Sequence, residues 1–186
     1  DGTMGQMMEP VEIDDINPET VEKPWALTGT DMKRKPNIVN SLYLKPDELE
    51  AKNFERFEKY KVVEENEVMY ESYLMDDAEI CIVAFGITSR VAKNAINEAR
   101  AKGIKVGMIR PITLWPFPKK ALYEASERCK AFISVEMNMG QMIGDVELAI
   151  RCKRPVYLCN RTGGMIPTPE EVLAKIEEAD KNGGVN

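Results

Sequence analysis

The 186-residue sequence contains no histidine. That one absence removes the Ser-His-Asp and Cys-His nucleophile arrangements, histidine general bases and histidine zinc ligands together. Cysteine is scarce. Cys81, Cys129, Cys152 and Cys159 contain no Cys-x-x-Cys pair, and most sit in apolar runs. They read as reduced core thiols, and no metal site is expected of them. No apolar stretch approaches the ~20 residues of a bilayer-spanning helix, and no secretory signal is visible. The expected setting is cytoplasmic, without a membrane partner. No extended basic block exists either: 25 basic against 31 acidic side chains leave a formal charge of −6, a poor match for nucleic acid. The chain opens at Asp1-Gly2 without a methionine and reads as a piece of something longer.

What is present suffices for a core, with 44% hydrophobic residues. The length suggests one domain plus an extension. Residues 1–46 hold Pro10, Pro18, Pro24, Pro36 and Pro46, a density that favours extended chain. They are expected to form a poorly packed arm, with Trp25 and Leu27 anchoring it on a surface. The domain is expected over 47–186. From Asp47 to about Glu65 the chain is rich in Glu, Lys and Arg, and Leu49, Phe57, Tyr60 and Val63 form a partial stripe. This predicts a mostly exposed helix. In Val68–Leu74 the alternation of Val68, Tyr70 and Leu74 favours an edge strand, the alternative being a continuation of the helix. Asp76-Asp77 turns it back, antiparallel, beside Glu79–Phe85.

The organising stretch is Glu79–Ser89. Ile80 to Phe85 is an unbroken apolar run, too short for a helix of its own, and fits a strand buried on both faces. Gly86 ends it, and Thr88 or Ser89 can cap the next helix. Strands at Ile104–Ile109, Ala131–Glu136 and Pro155–Cys159 follow, separated by helical stripes around Ala92, Leu122 and Val146. Thr168-Pro169-Glu170-Glu171 is a capping box opening the last helix, with residues 182–186 expected to fray. Alternating strands and helices with right-handed crossovers predict a three-layer α/β/α sandwich around a mostly parallel sheet.

Chemistry-bearing groups are few. The Gly86-Ile87-Thr88-Ser89 turn joins strand to helix, where backbone N–H groups attract anions, but it lacks the glycines of a dinucleotide fingerprint and the lysine of a phosphate loop. Glu136 and Asn138 stand at a strand end and either orient a ligand or brace the loop. Arg110 can clamp a carboxylate or phosphate, or make an interdomain contact. Gly144-Asp145 resembles the start of the Gly-Asp-Gly motif that holds magnesium for thiamine diphosphate; Val146 breaks the match and no Asn follows at the usual distance. These features describe an α/β domain without a self-sufficient active site, and no residue is singled out as catalytic.

Several stretches, in order, resemble the alpha subunit of 2-oxoacid:ferredoxin oxidoreductases of the 2-ketoisovalerate or 2-oxoglutarate type. The segment Asp1–Val11 resembles the end of that subunit's pyrimidine-binding domain. The charged helix, Tyr70–Ala78, Ala84-Phe85-Gly86, Arg110–Pro118 and Glu136–Gln141 resemble the domain that follows it. The resemblance implies a transketolase C-terminal-like fold with five strands in the order 1-3-2-4-5, strand 1 antiparallel. It implies that residues 1–46 are the remnant of the preceding domain plus a linker. At the level of the complex it implies oxidative decarboxylation of a 2-oxoacid to an acyl-CoA, with electrons passed to ferredoxin. Thiamine diphosphate, magnesium and iron–sulfur clusters are expected in the whole assembly and no cofactor in this piece. Other subunits, ferredoxin and CoA are the implied partners. The piece itself is expected to be non-catalytic and to serve assembly. The alternatives are a small-molecule domain binding CoA or a nucleotide, and a purely structural interaction domain.

In the order 1-3-2-4-5 the Ile80–Phe85 and Ile133–Glu136 strands are neighbours whose following helices leave to opposite faces. A crevice is then expected at their ends, lined by Gly86, Thr88, Ser89, Asn138, Gly140 and Gln141, and suited to an anionic group or a partner loop.

Overall fold

The computed structural model describes Glu12, Asp15 and residues 22–183. Most of the arm up to Val21 and residues 184–186 lie outside the described residues, along with the expectations that fell on them. The chain divides by its contacts at Tyr60 and Lys61 into two units. In the first, the backbone carbonyls of Pro24 and Ala26 accept from the Asn37 amide, and Arg34 donates to the Gly29 carbonyl at 2.7 Å. Trp25 and Leu27 are 63% and 71% exposed. Helix α1, Pro46–Asn66, opens on a proline and two acidic residues, as the N-terminus of a helix favours, and buries none of its side chains. Among the described residues, none before Met75 is buried.

The second unit contains β1 (Tyr70–Tyr73), β2 (Ile80–Val83), α2 (Gly86–Ala101), β3 (Val106–Pro111), α3 (Lys119–Ser126), β4 (Ala131–Glu136), α4 (Met142–Ala149), β5 (Val156–Asn160) and α5 (Pro169–Asn182). The sheet order is β1-β3-β2-β4-β5. All neighbours are parallel except β1, which runs antiparallel to β3. This is the order that the family resemblance implied. The residue pattern alone had placed the edge strand beside Glu79–Phe85, and that neighbour is corrected. Both flanks of β2 are taken by the equally apolar β3 and β4, while β1, with Glu71 and Ser72 in its middle, suits an edge. Pairing with β1 also carries β3 through Arg110 and Pro111, beyond the expected stop at Ile109.

Every residue of β2 is fully buried, and alternate residues feed two cores. Ile80, Ile82 and Ala84 pack with Ala92, Ala95, Ile96 and Ala99 of α2 and Val172, Leu173, Ile176 and Ala179 of α5. Cys81 and Val83 face the other way, onto Leu122 and Ala125 of α3 and Met142, Val146 and Ala149 of α4. Each fully buried Ile or Leu contributes about 1.5–3 kcal/mol relative to exposure. Helix α2 begins at Gly86, three residues earlier than a Thr88 cap and four earlier than a Ser89 cap would allow. Gly86, at φ +59°, makes the reversal, and Phe85 occupies the cap position without a side-chain hydrogen bond. The capping box of α5 is present as expected: Thr168 Oγ1 accepts from the Glu171 N–H at 3.3 Å, and Glu171 accepts from the Thr168 N–H at 3.0 Å.

Gly107 fixes how closely the β1–β2 connection rides over the sheet. A Cβ there would stand 2.5 Å from the Leu74 carbonyl oxygen and 2.7 Å from Met75 Sδ. The methionine can swing aside; the backbone carbonyl cannot. Gly107→Ala is expected to destabilise the domain by about 1–3 kcal/mol through overpacking, read as a lower urea midpoint with an unchanged slope.

Candidate functional site

The site is built where β2 and β4 end side by side, Val83 opposite Ser134. Right-handed connections then carry α2 to one face of the sheet and α4 to the other. A crevice of about 220 Å³ opens there, lined by Phe85, Leu114, Phe117, Glu136, Asn138, Gln141, Met142 and Asp145. Of the residues expected at these strand ends, Asn138 and Gln141 line it. Gly86, Thr88, Ser89 and Gly140 do not line it. The Thr88 and Ser89 hydroxyls donate to the Phe85 and Gly86 carbonyls at 2.8 and 2.7 Å, inside the first turn of α2. Gly140, at φ +99°, faces Ile143 and Leu158; a Cβ there would lie 3.1 Å from Ile143 Cγ2.

Glu136 organises the loop. The residue is 2% exposed, and its carboxylate accepts four hydrogen bonds. Ser134 Oγ and the Ile143 N–H donate to Oε1 at 2.8 and 2.9 Å, and the Gln141 and Met142 N–H groups donate to Oε2 at 3.0 and 2.8 Å. The Asn138 side-chain oxygen accepts from the Gly140 and Gln141 N–H groups at 2.7 and 2.9 Å. A helix start leaves its first N–H groups without intrahelical partners. Here the domain's own carboxylate and carboxamide satisfy them, so Glu136 braces the loop.

The residues that sequence reasoning missed are mostly apolar. Phe85, Leu114, Phe117 and Met142 form walls, and their types gave no signal apart from their nearness to strand ends. Asp145, set aside as helix surface, stands on the rim in the first turn of α4. Its side chain has no hydrogen bond or ion pair among the described residues. A larger groove of about 530 Å³ lies elsewhere, beside Tyr70, Phe117 and Pro118, with Glu64, Glu65, Glu124, Lys119 and Lys120 around it.

Arg110 is not in the crevice. It sits directly across the β1–β3 ladder from Glu71 and donates to it at 2.9 Å, while Lys93 of α2 donates to the other Glu71 oxygen at 2.8 Å. Hydrogen bonds from Lys93 and then Arg110 hold the Glu71 carboxyl below its ordinary range. Of the cysteines, Cys81, Cys129 and Cys159 are buried and Cys152 is exposed. Burial pushes the Cys129 thiol up to about 11 and raises Cys81 and Cys159 as well, which leaves them poor nucleophiles.

Two outcomes follow from these contacts. Glu136→Gln places an amide NH₂ among four donors and is expected to cost about 2–4 kcal/mol. Hydrogen exchange should show the amides of residues 141–143 opening faster than the sheet. Glu71 has a folded-state pKa below its unfolded one, so its contribution is present above the ordinary carboxylate range, about pH 4.3. It is lost as pH falls through the lowered value. Glu71→Gln should therefore be less stable than the parent chain near neutrality, with the two urea midpoints converging in acid.

Comparison with known proteins places this geometry. Residues 78–172 match the family described as pyruvate:ferredoxin oxidoreductase core domain II. The ketoisovalerate oxidoreductase subunit VorB of Methanothermobacter marburgensis is 49% identical over 179 residues, covering 96% of this chain and 50% of that protein. The 2-oxoglutarate synthase subunit KorA of the same organism is 39% identical over 101 residues, covering 54% of this chain and 27% of that protein. Among solved structures, a 2-oxoglutarate:ferredoxin oxidoreductase from Magnetococcus marinus superposes with a TM-score of 0.59 at 26% identity, over 73% of this chain and 24% of that one. A split-gene transketolase shares the fold, with a TM-score of 0.52 at 21% identity over 59% of this chain and 41% of that one. The chain spans about half the length of the VorB relatives it matches. The chain belongs to the pyruvate:ferredoxin oxidoreductase core domain II family.

Proposed function

We propose that this chain is the transketolase-like part of a subunit of a 2-oxoacid:ferredoxin oxidoreductase, with residues 1–46 as the remnant of a preceding domain plus a linker and 47–186 as the domain itself. The complex oxidatively decarboxylates a branched-chain 2-oxoacid, 2-ketoisovalerate, transfers the acyl group to CoA and passes the electrons to ferredoxin. The observation that carries this reading is the 49% identity to VorB across 96% of the chain. The likeness to KorA is lower and covers less of the chain, which favours the branched-chain substrate over 2-oxoglutarate.

Within the complex this domain works by assembly. Among the described residues no three His, Cys, Asp or Glu side chains converge to hold a metal ion. Gly144-Asp145 lies in the first turn of helix α4, and Val146 departs from the Gly-Asp-Gly motif that holds the magnesium of thiamine diphosphate. These residues do not fit thiamine diphosphate or a cluster, and no chemical step is routed through them. The reading of the domain as a CoA or nucleotide binder is disfavoured by size. The crevice, about 220 Å³, falls below the ~300–1,000 Å³ of typical cofactor sites. The 530 Å³ groove is large enough, but three carboxylates against two ammonium groups around it repel a polyphosphate. No helix among the described residues is long and apolar enough to cross a membrane.

The test is to tag this chain's gene in its native cells, purify what accompanies it, and assay CoA-dependent ferredoxin reduction with 2-ketoisovalerate, 2-oxoglutarate and pyruvate. Co-purifying subunits and the highest kcat/KM with 2-ketoisovalerate are expected. An assembly with no 2-oxoacid oxidation, or one that prefers 2-oxoglutarate, overturns the enzyme or the substrate assignment respectively.

A further inference from the structure

The crevice at the ends of β2 and β4 has an electrostatic character opposite to the one expected of a strand-end site. Such sites commonly take anions because a helix start offers free N–H groups. Here the Gln141, Met142 and Ile143 N–H groups all donate to Glu136, and those of Gly140 and Gln141 donate to Asn138. The N–H groups of Gln141, Met142 and Ile143 are thus already taken before any phosphate or carboxylate arrives.

What the crevice does offer is an acceptor and aromatic surface. Phe85, Phe117 and Met142 make a wall, with Phe117 and Met142 only 7% and 5% exposed. Asp145 stands exposed on the rim, without a hydrogen bond or ion pair among the described residues. Gln141 lines the same crevice, its side chain makes no hydrogen bond among the described residues, and it adds a carboxamide oxygen. The volume, about 220 Å³, suits a single side chain better than a cofactor.

We infer that this crevice is the seat of one arginine side chain from a partner polypeptide. A planar guanidinium can stack on an aromatic face while its fork of donors meets a carboxylate, which a compact ammonium does less well. Arginine anchored in a partly desolvated pocket is a common interface hot spot. The inference rests on the docking role proposed above and names the chemistry of the group that docks.

The 186-residue chain, labelled with ¹³C at its methionine methyls, reports binding directly, because Met142 lines the crevice. Met142→Leu identifies the resonance. Titration with the blocked tripeptide Ac-Gly-Arg-Gly-NH₂ should shift the Met142 methyl saturably, the lysine analogue should do so more weakly, and Ac-Gly-Gly-Gly-NH₂ and inorganic phosphate should leave it in place. Asp145→Asn, a change at an exposed position outside both cores, should weaken the arginine peptide by ~3-fold or more. Failure of the arginine peptide to move the resonance, an equal response to phosphate or to the glycine peptide, an equal affinity for the lysine peptide, or an unchanged affinity in D145N each overturns the assignment. No 2-oxoacid turnover enters this readout, so its failure and the failure of the enzyme reading are distinguishable.

Discussion

The constraint on which the domain depends is the burial of β2 on both faces. Ile80, Cys81, Ile82 and Val83 are all inaccessible to solvent, and a strand with no polar face must be flanked by strands and covered by helices on both sides. Parallel neighbours need crossover connections, and the handedness of those crossovers distributes the helices between the two faces. From that follow the two separate cores, the pairing of α2 with α5 and of α3 with α4, and the divergence of α2 and α4 at the strand ends. The crevice is a consequence of this divergence.

At those strand ends the domain has used its own side chains to settle a helix start. A buried carboxylate is costly unless it is fully hydrogen-bonded. Glu136 meets that condition with three backbone N–H groups and one hydroxyl, and in doing so ties β4 to α4. The same arrangement occupies the first N–H groups at the start of α4. What remains open is a pocket with apolar walls and acceptors on its rim. The domain belongs to a core-domain family whose relatives are oxidoreductase subunits.

The sequence by itself determined the alternation of elements, because apolar period and turn chemistry are local. The run Ile80–Phe85, the strand at Ala131–Glu136 and the Thr168 capping box could be read directly, and the family resemblance supplied the strand order. The tertiary structure decided three things that local pattern cannot. It decided which strand the Tyr70–Tyr73 edge joins, since hydrogen-bond partners are chosen by long-range packing. It moved the start of α2 to Gly86, because only the folded backbone reveals where φ turns positive. It also decided the character of the site. Thr88, Ser89 and Gly140 lie near the strand ends in sequence yet face their own helix turn or β5, and Arg110 is held by Glu71 across the ladder. Glu136 and Asp145 are both acidic in the sequence. Only their positions in space, one beneath three N–H groups and one on an open rim, make the first a brace and the second an unpaired acceptor.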